Sequence, residues 1–263
     1  MIKVKKKGDK MRFIRSEEAV SETIGFILIL GIIMTSIGII TAYGYPILEK
    51  TQENTQFQST EQGFLVLQSN MKMVALDQSP IKTIKMGLGD GSITANSSQG
   101  RIRVNVDSAG AYEFDVLPGV IEYEKNGRKI AYENGGVWEF YPAGGTVRLS
   151  DPKIYVREVG GDTIVSISII NISGPLSSVG GASGSIVAEY NNAGNPSINS
   201  TNTVQIEVTS DYADAWERYF NEIVNTTGSN SVVNTGPPAN IVTATIDYDK
   251  LIVNEYTIDV AVQ

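Results

Sequence analysis

Residues Ile24 to Tyr45 read IGFILILGIIMTSIGIITAYGY, a run of 22 residues without a charge. An α-helix of this length rises about 33 Å, close to the thickness of the hydrocarbon core of a bilayer. Backbone groups in lipid must satisfy their own hydrogen bonds, and a helix does so within the segment. The run therefore predicts one membrane-spanning helix near the start of the chain.

Charge is distributed unevenly on the two sides of this run. Residues 1–23 carry seven Lys/Arg and four Asp/Glu, whereas residues 46–263 carry 14 Lys/Arg and 25 Asp/Glu. Because short basic flanks stay in the cytoplasm, we expect a single-pass protein of the cell membrane with its C-terminal part outside. Membrane lipid is then one partner. Nucleic acid is not expected as a partner, since phosphate contacts need clustered cations.

The 263 residues include neither Cys nor His. Disulfides, thiolate or imidazole metal sites and catalysis by either side chain are thereby excluded. Two carboxylate pairs occur two residues apart, Glu122/Glu124 and Asp247/Asp249. We interpret them as solvated acids at the surface rather than as Ca²⁺ ligands or as the acid and base of a glycosidase. We expect no catalytic residues, no cofactor and no metal, with a membrane-tethered polysaccharide hydrolase as the minority alternative.

The helix is predicted to continue beyond the apolar run. Pro46 should kink it rather than end it, and the end is expected near Leu76, before Ser79-Pro80. One helical face carries the apolar residues Ile47, Phe57, Phe64, Leu67, Met71 and Val74. The other face is polar, so this stripe needs a cover. The β domain of the same chain is the favoured cover, and neighbouring subunits are the alternative.

From Ile81 onward apolar residues alternate with a period of two, which is typical of half-buried strands. A type I′ hairpin turn is expected at Asn126-Gly127 and a second turn at Gly160-Gly161-Asp162. The predicted loops are Gly174–Gly184, Asn191–Asn202 and Thr226–Asn240. The predicted strands are Thr83–Leu88, Arg101–Val106, Tyr112–Val116, Val120–Glu124, Lys129–Tyr132, Trp138–Tyr141, Val147–Leu149, Lys153–Val159, Thr163–Ile170, Ser185–Tyr190, Thr203–Val208, Ile241–Asp247 and Tyr256–Val262.

One short helix interrupts these strands. Ser210 can cap it, and its buried face is predicted to contain Ala213, Trp216, Phe220 and Ile223,. The fold class is therefore α+β and mainly β. A long N-terminal transmembrane α-helix precedes an antiparallel β-sandwich-like extracellular domain with one inserted short helix. We expect a basic leader over residues 1–18, the helix and its amphipathic extension over 19–77, and the β domain over 78–263.

Residues 15–30 read RSEEAVSETIGFILIL. This stretch resembles the N-terminus of archaeal type IV pilin-like surface proteins of methanogens and haloarchaea, which carry a class III signal peptide. The shared pattern is a basic leader, a polar Ala-Val-Ser segment, an Ile-Gly and an apolar helix. The resemblance implies a prepilin peptidase as partner, cutting here between Glu18 and Ala19. It also implies that the intact helix packs with other pilin-like subunits, identical or different, in the core of a surface filament.

Two features of the helix are candidates for a role in this assembly: Glu22 and a stripe of small residues. In many pilins a Glu at the fifth mature position neutralises the terminal amine of a neighbouring subunit. Glu22 is fourth after a cut before Ala19 and fifth after a cut before Glu18; alternatively it is a hydrated carboxylate at the membrane edge. Small residues at i, i+4, i+7 and i+11 let membrane helices approach, although they are common in any membrane helix. They are Gly31, Thr35, Gly38 and Ala42.

Sequons for N-glycosylation begin at Asn96, Asn171, Asn199 and Asn225. An external domain with sequons in loops is consistent with a glycoprotein, although Asn171, at the end of an apolar strand, is the least favoured. The sequence as a whole predicts an archaeal type IV pilin-like structural subunit or cell-surface protein, inserted by its helix and assembled through it. The alternative is a monomeric membrane-anchored adhesin or envelope protein.

Overall fold

A computed structural model describes residues 14–106, 113–224 and 231–263, leaving aside the side chains of residues 14–22 and 199–202. The chain divides into two compact units, residues 1–55 and residues 56–263. The helical part consists of α1 (Ile14–Ile39), a π-helical turn (Ile40–Gly44) and α2 (Tyr45–Ala75). The boundary between the two units therefore falls inside α2, so the second half of this helix belongs to the β-rich unit.

Pro46 accounts for the π-helical turn. Proline has no backbone N–H, and in a regular α-helix its ring collides with the carbonyl four residues earlier, here that of Ala42. The wider turn over Ile40–Gly44 lies at this point, and such turns are one of the ways in which helices absorb an irregularity. The helix continues to Ala75, as predicted. Gln78 then adopts a left-handed conformation with φ of 52°, and the N–H of Ser79 donates to the carbonyl of Met73 at 3.0 Å.

The β-rich unit contains two sheets and one further helix, α3 (Ala213–Val224). The nine-stranded sheet A contains β1 (Ile81–Gly87), β3 (Arg101–Val106), β4 (Phe114–Val116), β9 (Ile154–Val159), β10 (Asp162–Ser173), β12 (Ser183–Ala193), β13 (Ser197–Thr209), β14 (Ser231–Asn234) and β15 (Ile241–Val262). The six-stranded sheet B contains β2 (Ser92–Asn96), β5 (Val120–Lys125), β6 (Arg128–Glu133), β7 (Gly136–Tyr141), β8 (Gly145–Ser150) and β11 (Ser177–Gly180).

Strand β15 organises sheet A. One edge pairs antiparallel with β13 through residues 241–253 and with β12 through residues 256–262. The other edge pairs antiparallel with β14 and parallel with β10, the latter through residues 250–259. Further strands pair in turn, β1 with β12, β3 with β13, β4 with β3, and β9 with β10. The expected antiparallel arrangement is therefore found throughout, except for the parallel β10–β15 pair.

Buried side chains form two clusters. The first joins sheet A and α3 to sheet B, and the ring of Trp138 on β7 lies 4.6 Å from that of Trp216 on α3. The second joins α2 to both sheets, and it includes Phe57, Phe64, Leu67, Met71 and Val74, all fully buried. The prediction that the β domain covers the apolar stripe of α2 is confirmed for these five residues. It is wrong for Ile47, which belongs to the first unit and is 66% exposed.

Polar side chains fasten α2 to sheet B. Arg128 on β6 donates to Glu61 on α2 at 3.1 Å and to Glu139 on β7 at 2.7 Å. Its guanidinium lies 4.1 Å from the ring centroid of Phe57 and 4.5 Å from that of Tyr141. The buried Glu139 also accepts the hydroxyl of Tyr141. A charged group held between two rings and two carboxylates fixes the position of the helix over the sheet.

The predicted strands each overlap an observed strand. Asn126-Gly127 has positive φ at both positions, as its predicted type I′ turn requires. In the predicted turn Gly160-Gly161-Asp162 the two glycines form the turn, and Asp162 already begins β10. The predicted loops need correction. Gly174–Gly184 contains β11, Asn191–Asn202 is mostly β12 and β13, and Thr226–Asn240 contains β14. β11 and β14 have little apolar alternation and are strands because their backbones pair with β2 and β15. β12 and β13 are longer than predicted because each pairs with the long strand β15.

The predicted helix after Ser210 is α3. The hydroxyl of Ser210 accepts the N–H of Tyr212 at 3.0 Å, and its carbonyl accepts the N–H of Ala213 at 3.2 Å. Ala213, Trp216 and Phe220 are buried, whereas Ile223 is half-buried. The buried face is thus the predicted one, and Val224 completes it at the C-terminal end.

Candidate functional site

The apolar segment at the start of the chain leaves its side chains uncovered. Sixteen large hydrophobic side chains between Ile24 and Leu48 are more than 40% exposed, compared with eight in the described residues from Gln56 onward. The helix over Thr23–Ala75 is long and apolar enough to cross a membrane, and none of its most apolar 18-residue window is buried. A surface of this size in contact with water is unfavourable by about 1.5–3 kcal/mol for each large side chain.

The predicted assembly residues lie on this segment. Gly31 and Gly38 have open space where a side chain would project, and Thr35 donates to the carbonyl of Gly31 at 2.7 Å. Ala42 lies in the π-helical turn, whose wider repeat offsets it from the line formed by the other three,. Glu18, Ala19 and Glu22 have helical backbone within α1, and their side chains lie outside the described part of the structure.

Two of the four sequons, Asn96 and Asn199, were expected in loops but lie in strands, whereas Asn171 lies in an apolar strand as expected. Asn96 is at the end of β2, where its Oδ1 accepts the N–H of Ser98 at 3.0 Å. Asn171 is half-buried within β10, and its backbone pairs in register with Thr257 of β15. Asn199 lies in β13, with its side chain outside the description. Asn225 lies outside the described residues.

The two carboxylate pairs of the sequence are separate from each other, and three of their four carboxylates accept hydrogen bonds. Glu122 accepts hydrogen bonds from Lys129 and Tyr212, and its neighbour Glu124 is exposed. Asp247 accepts the hydroxyl of Thr203, and Asp249 accepts the N–H of Thr163. No group of three or more acidic side chains with metal-binding geometry occurs among the described residues. These pairs therefore stabilise strands and turns.

Glu133 is a buried acidic residue that no sequence pattern indicated. It ends β6 and is fully buried where sheet B meets α3 and the segment before it. Its Oε2 accepts the hydroxyl of Ser210 at 2.6 Å and the indole N–H of Trp216 at 3.3 Å. Within the described part of the chain, its Oε1 accepts no hydrogen bond. A buried acceptor without a donor is uncommon in folded proteins and calls for an explanation.

Burial raises the pKa of Glu133 to about 7. Removal from water disfavours the ionised form and is the largest cause of the shift. The hydrogen bonds from Ser210 and Trp216 oppose it, and the charges of Asp211 and Glu122 add to it. Glu133 therefore changes its charge near neutral pH, unlike an ordinary surface glutamate.

A cavity of about 210 Å³ lies beside Glu133. Gly100 also lines this cavity; a side chain at this position would come within 2.6 Å of Oε1 of Glu133, and the φ of Gly100 is +73°. A second cavity of about 190 Å³ shares two lining residues with the first, Asp211 and Tyr212. The first cavity is lined by Gln99, Gly100, Arg101, Val120, Glu133, Thr209, Ser210, Asp211, Tyr212, Pro238, Ala239 and Asn240.

Sequence patterns gave little indication of this site. Glu133 precedes Asn134-Gly135, whose positive φ values of 46° and 75° mark a hairpin turn like that at Asn126-Gly127,. A charged residue beside a turn is normally exposed. The dipeptide Asn134-Gly135 does indicate the turn. The burial of Glu133, however, depends on Ser210 and Trp216, which are 77 and 83 residues away in the chain.

The fold and the uncovered segment define a class: a β-rich domain that follows an N-terminal helix long and apolar enough to cross a membrane. Residues 18–261 match DUF7289, a family of unknown function, and the chain belongs to this family. An uncharacterized protein of Archaeoglobus fulgidus is similar, with 23% identity over 229 residues, covering 80% of this chain and 84% of that protein. No solved structure matches the chain significantly.

Proposed function

We propose that the protein is an archaeal type IV pilin-like structural subunit or cell-surface protein, inserted in the cell membrane by its N-terminal helix with the β-rich unit outside. The observation that carries the proposal is the uncovered apolar segment of the helix, with 16 exposed large hydrophobic side chains in 25 residues. Lipid, or the helices of neighbouring subunits, would remove this surface from water.

The charge distribution supports the orientation. The leader is basic and the residues after the apolar segment are acidic, which favours a cytoplasmic start and an external β-rich unit,. The resemblance of residues 15–30 to pilin-like signal peptides supports removal of the leader by a prepilin peptidase between Glu18 and Ala19. The match to the DUF7289 family begins at residue 18, and the similar protein comes from an archaeon.

Assembly would use the apolar segment. Gly31, Thr35 and Gly38 offer a narrow exposed strip along which a second helix can approach closely,. A carboxylate at Glu22 would pair with the new N-terminal amine of a neighbour, because an unpaired charge among bundled helices is costly. The β-rich units would then form the outside of the filament, and sequons such as Asn96 would be its glycosylation sites.

A monomeric membrane-anchored adhesin or envelope protein is the second candidate. One observation favours it: the stripe Phe57–Val74 of α2 is already buried by residues of its own unit. Beyond the apolar segment, no two of the exposed large hydrophobic side chains of the described residues are adjacent in the chain. Lipid alone is sufficient to cover the segment in this case.

Mass spectrometry of the N-terminus on protein from the native cell surface separates the two candidates. A start at Ala19, together with recovery of the protein in sheared filaments, supports the pilin-like subunit. An intact leader and absence from filaments would favour the monomeric anchor. Recovery in the cytosol would contradict both.

The role of Glu22 has its own test. Glu22→Ala should lower filament yield by about tenfold or more while leaving membrane insertion unchanged, because the amine of the neighbour would lose its partner. Glu17→Ala is the matched control, since the leader that contains it is removed before assembly. Normal filament yield from Glu22→Ala would remove the proposed pairing.

A further inference from the structure

Sheet A carries a group of basic side chains beside the end of α2. Ile154 on β9 faces the first buried cluster, so Lys153, Tyr155 and Arg157 face the opposite side of the sheet,. Lys72 of α2 lies close to Lys153 and Tyr155, because its charge affects the pKa of both. The residues Lys72, Lys153, Tyr155 and Arg157 are termed the basic patch. None of its three cations forms an ion pair with another residue of the described chain.

The cations of the basic patch repel one another. Burial lowers the pKa of Lys153, the charge of Lys72 lowers it further, and Asp151 opposes both effects. Asp151 is itself paired with Arg148 at 3.0 Å, so it neutralises the patch only in part. A negatively charged partner would therefore relieve a repulsion that the isolated chain retains.

The other face of sheet A carries the complementary charge. Ile258 and Val260 face the second buried cluster, so Asp259 between them faces the opposite side,. Glu189 of β12 pairs directly with Asp259, and both are exposed. Glu255 lies on the same side of β15, four residues before Asp259. The residues Glu189, Glu255 and Asp259 are termed the acidic patch.

The acidic patch also retains a repulsion. Two carboxylates that lie directly opposite each other on neighbouring strands destabilise the pair. Asp259 is nonetheless held in place, since Asn191 donates to its two oxygens at 3.0 and 2.9 Å and Ser173 donates to one of them. Among the described residues, none of the three carboxylates has a basic partner in an ion pair. A cation from outside the chain would relieve this repulsion.

We propose that the basic patch of one copy of the protein docks on the acidic patch of a second copy. Each patch supplies the charge that the other lacks, and complementary charges select partners and orient them. Tyr155 and Arg157 are of the residue types that most often dominate protein interfaces. The inference rests on the pilin-like function proposed above, which brings copies of this chain together in one membrane.

The position of the two patches determines the kind of contact. Because they lie on opposite faces of sheet A, one copy can use both, each with a different neighbour. Such a contact between unlike surfaces is heterologous and repeats into an open row when the rotation between copies does not close a ring. Every residue of both patches belongs to the β-rich unit, so the contact adds to the packing of the apolar helices. Exposed ion pairs are individually weak, and repetition along a row compensates for this.

An anionic polymer of the cell surface is the other occupant that a basic patch suggests. It would account for Lys72, Lys153 and Arg157 but would leave the repulsion between Glu189 and Asp259 in place. A second copy accounts for both patches, and we therefore favour it.

Zero-length cross-linking with a carbodiimide tests the contact directly, because the reagent joins a lysine amine to a carboxylate that touches it. The full chain is placed in detergent micelles as an equal mixture of isotope-labelled and unlabelled protein. We expect mixed-label cross-links from Lys72 or Lys153 to Glu189, Glu255 or Asp259. Their yield should fall by about tenfold between about 20 mM and about 0.5 M NaCl, since salt screens exposed charges.

Two charge reversals and their mixture sharpen the test. Arg157 and Glu189 are exposed and bond to no described side chain, so Arg157→Glu and Glu189→Arg remove no contact within the chain. Each variant alone should lower the cross-link yield by about tenfold, because like charges would meet. An equal mixture of the two should restore it, since each contributes one intact patch. Glu124→Arg, an exposed reversal on β5 of sheet B, is the matched control and should cross-link as the wild type does.

The proposal is overturned if no mixed-label cross-link joins the two patches, or if both reversals leave the yield unchanged. It is also overturned if the mixture of the two variants fails to restore the yield. Binding of dextran sulfate without self-association would assign the basic patch to an anionic polymer and reject the docking. Should one variant fail to fold, the yield of the other decides by the same criterion.

Cells separate this inference from the pilin-like function. Sheared filaments that contain the protein without cross-links between the patches reject the docking and keep the pilin-like role. Cross-links between the patches in protein that no filament contains reject the pilin-like role and keep the docking, as a contact between anchored copies.

Discussion

At the scale of single residues, Glu133 is an ionisable group placed where water does not reach it. Its carboxyl is fully buried, and burial raises its pKa from 4.5 to about 7. In the unfolded chain the same group ionises near pH 4.5. A raised pKa in the folded state means that the neutral form stabilises the fold. This stability is fully present below about pH 4.5 and is lost as the pH rises to about 7.

Glu133→Gln should therefore gain stability relative to the wild type as the pH rises. Between about pH 4.5 and pH 8 the difference in free energy of unfolding should shift by about 3 kcal/mol in favour of the variant, since glutamine has no charge to bury. Urea unfolding, followed by tryptophan fluorescence at several pH values, measures this shift. The exposed Glu158→Gln control should run parallel to the wild type, and a parallel profile for Glu133→Gln would contradict the buried titration.

Sequence patterns revealed some of these residues and hid others. Trp216 and Phe220 were predictable as core residues, because helical spacing alone puts them on one face of α3. The burial of Glu133 was not, because it depends on elements that meet only in the folded chain. Its neighbour Asn134 is also fully buried, with its Oδ1 accepting the N–H of Ile170 at 2.9 Å. Long-range convergence of this kind leaves no periodic signature.

At the scale of elements, α2 is held to sheet B by Arg128 as well as by its apolar stripe. Glu139 is only 1% exposed and receives hydrogen bonds from Arg128 and Tyr141. Removing the guanidinium would leave this carboxylate buried with one donor. A buried ion that loses its partner costs several kcal/mol, far more than the pair itself contributes.

Arg128→Ala should accordingly lower the free energy of unfolding by about 3–5 kcal/mol. Adding Glu139→Gln to it should restore part of the loss, since the unpaired charge is removed. Arg101→Ala is the matched control: it breaks the exposed pair with Asp115, at a cost of about 1 kcal/mol or less,. Denaturant unfolding of the wild type, the two single variants Arg128→Ala and Glu139→Gln, their double variant and the Arg101→Ala control measures the coupling. Additive effects of Arg128→Ala and Glu139→Gln would argue against it.

The same scale explains which elements the sequence predicted. Strands with strict alternation, such as β3 and the Thr203–Val208 part of β13, follow from their apolar pattern. β2 and β11 are short and rich in Ser, Thr, Ala and Gly, with one large apolar residue each, Ile93 and Val179. They are strands because their backbones hydrogen-bond to neighbouring strands. Their composition is that of a loop, so the sequence does not predict this pairing. The break in the helix at Ile40–Gly44 was predictable in position, since Pro46 marks it, but not in its π-helical form.

At the scale of the whole molecule, the two units differ in how they treat their large apolar side chains. The unit from Gln56 onward buries its large apolar side chains in two clusters, while the apolar segment before it exposes its own. Within the larger unit, β15 joins four other strands through its two edges. Sheet A therefore depends on β15 more than on any other of its described strands.

Hydrogen exchange should reveal this dependence. Amides of Leu251, Val253 and Ile258, which are buried in the centre of β15, should exchange only through global unfolding and be the slowest group,. Amides of the edge strands β4 and β11 should exchange faster by about tenfold or more, because local opening exposes them. Mass spectrometry or NMR of the deuterated protein measures both sets. Equal rates in β15 and the edge strands would contradict a central role.

Strand β15 also sets the order of events during synthesis. Its partners β10, β12, β13 and β14 all precede it in the chain, so a nascent polypeptide emerging from the ribosome cannot complete sheet A before residue 262 is made. Sheet A can therefore close only after synthesis has passed these residues. A chain whose larger sheet closes last would suit the membrane passage proposed above, because a narrow translocation channel admits only unfolded polypeptide.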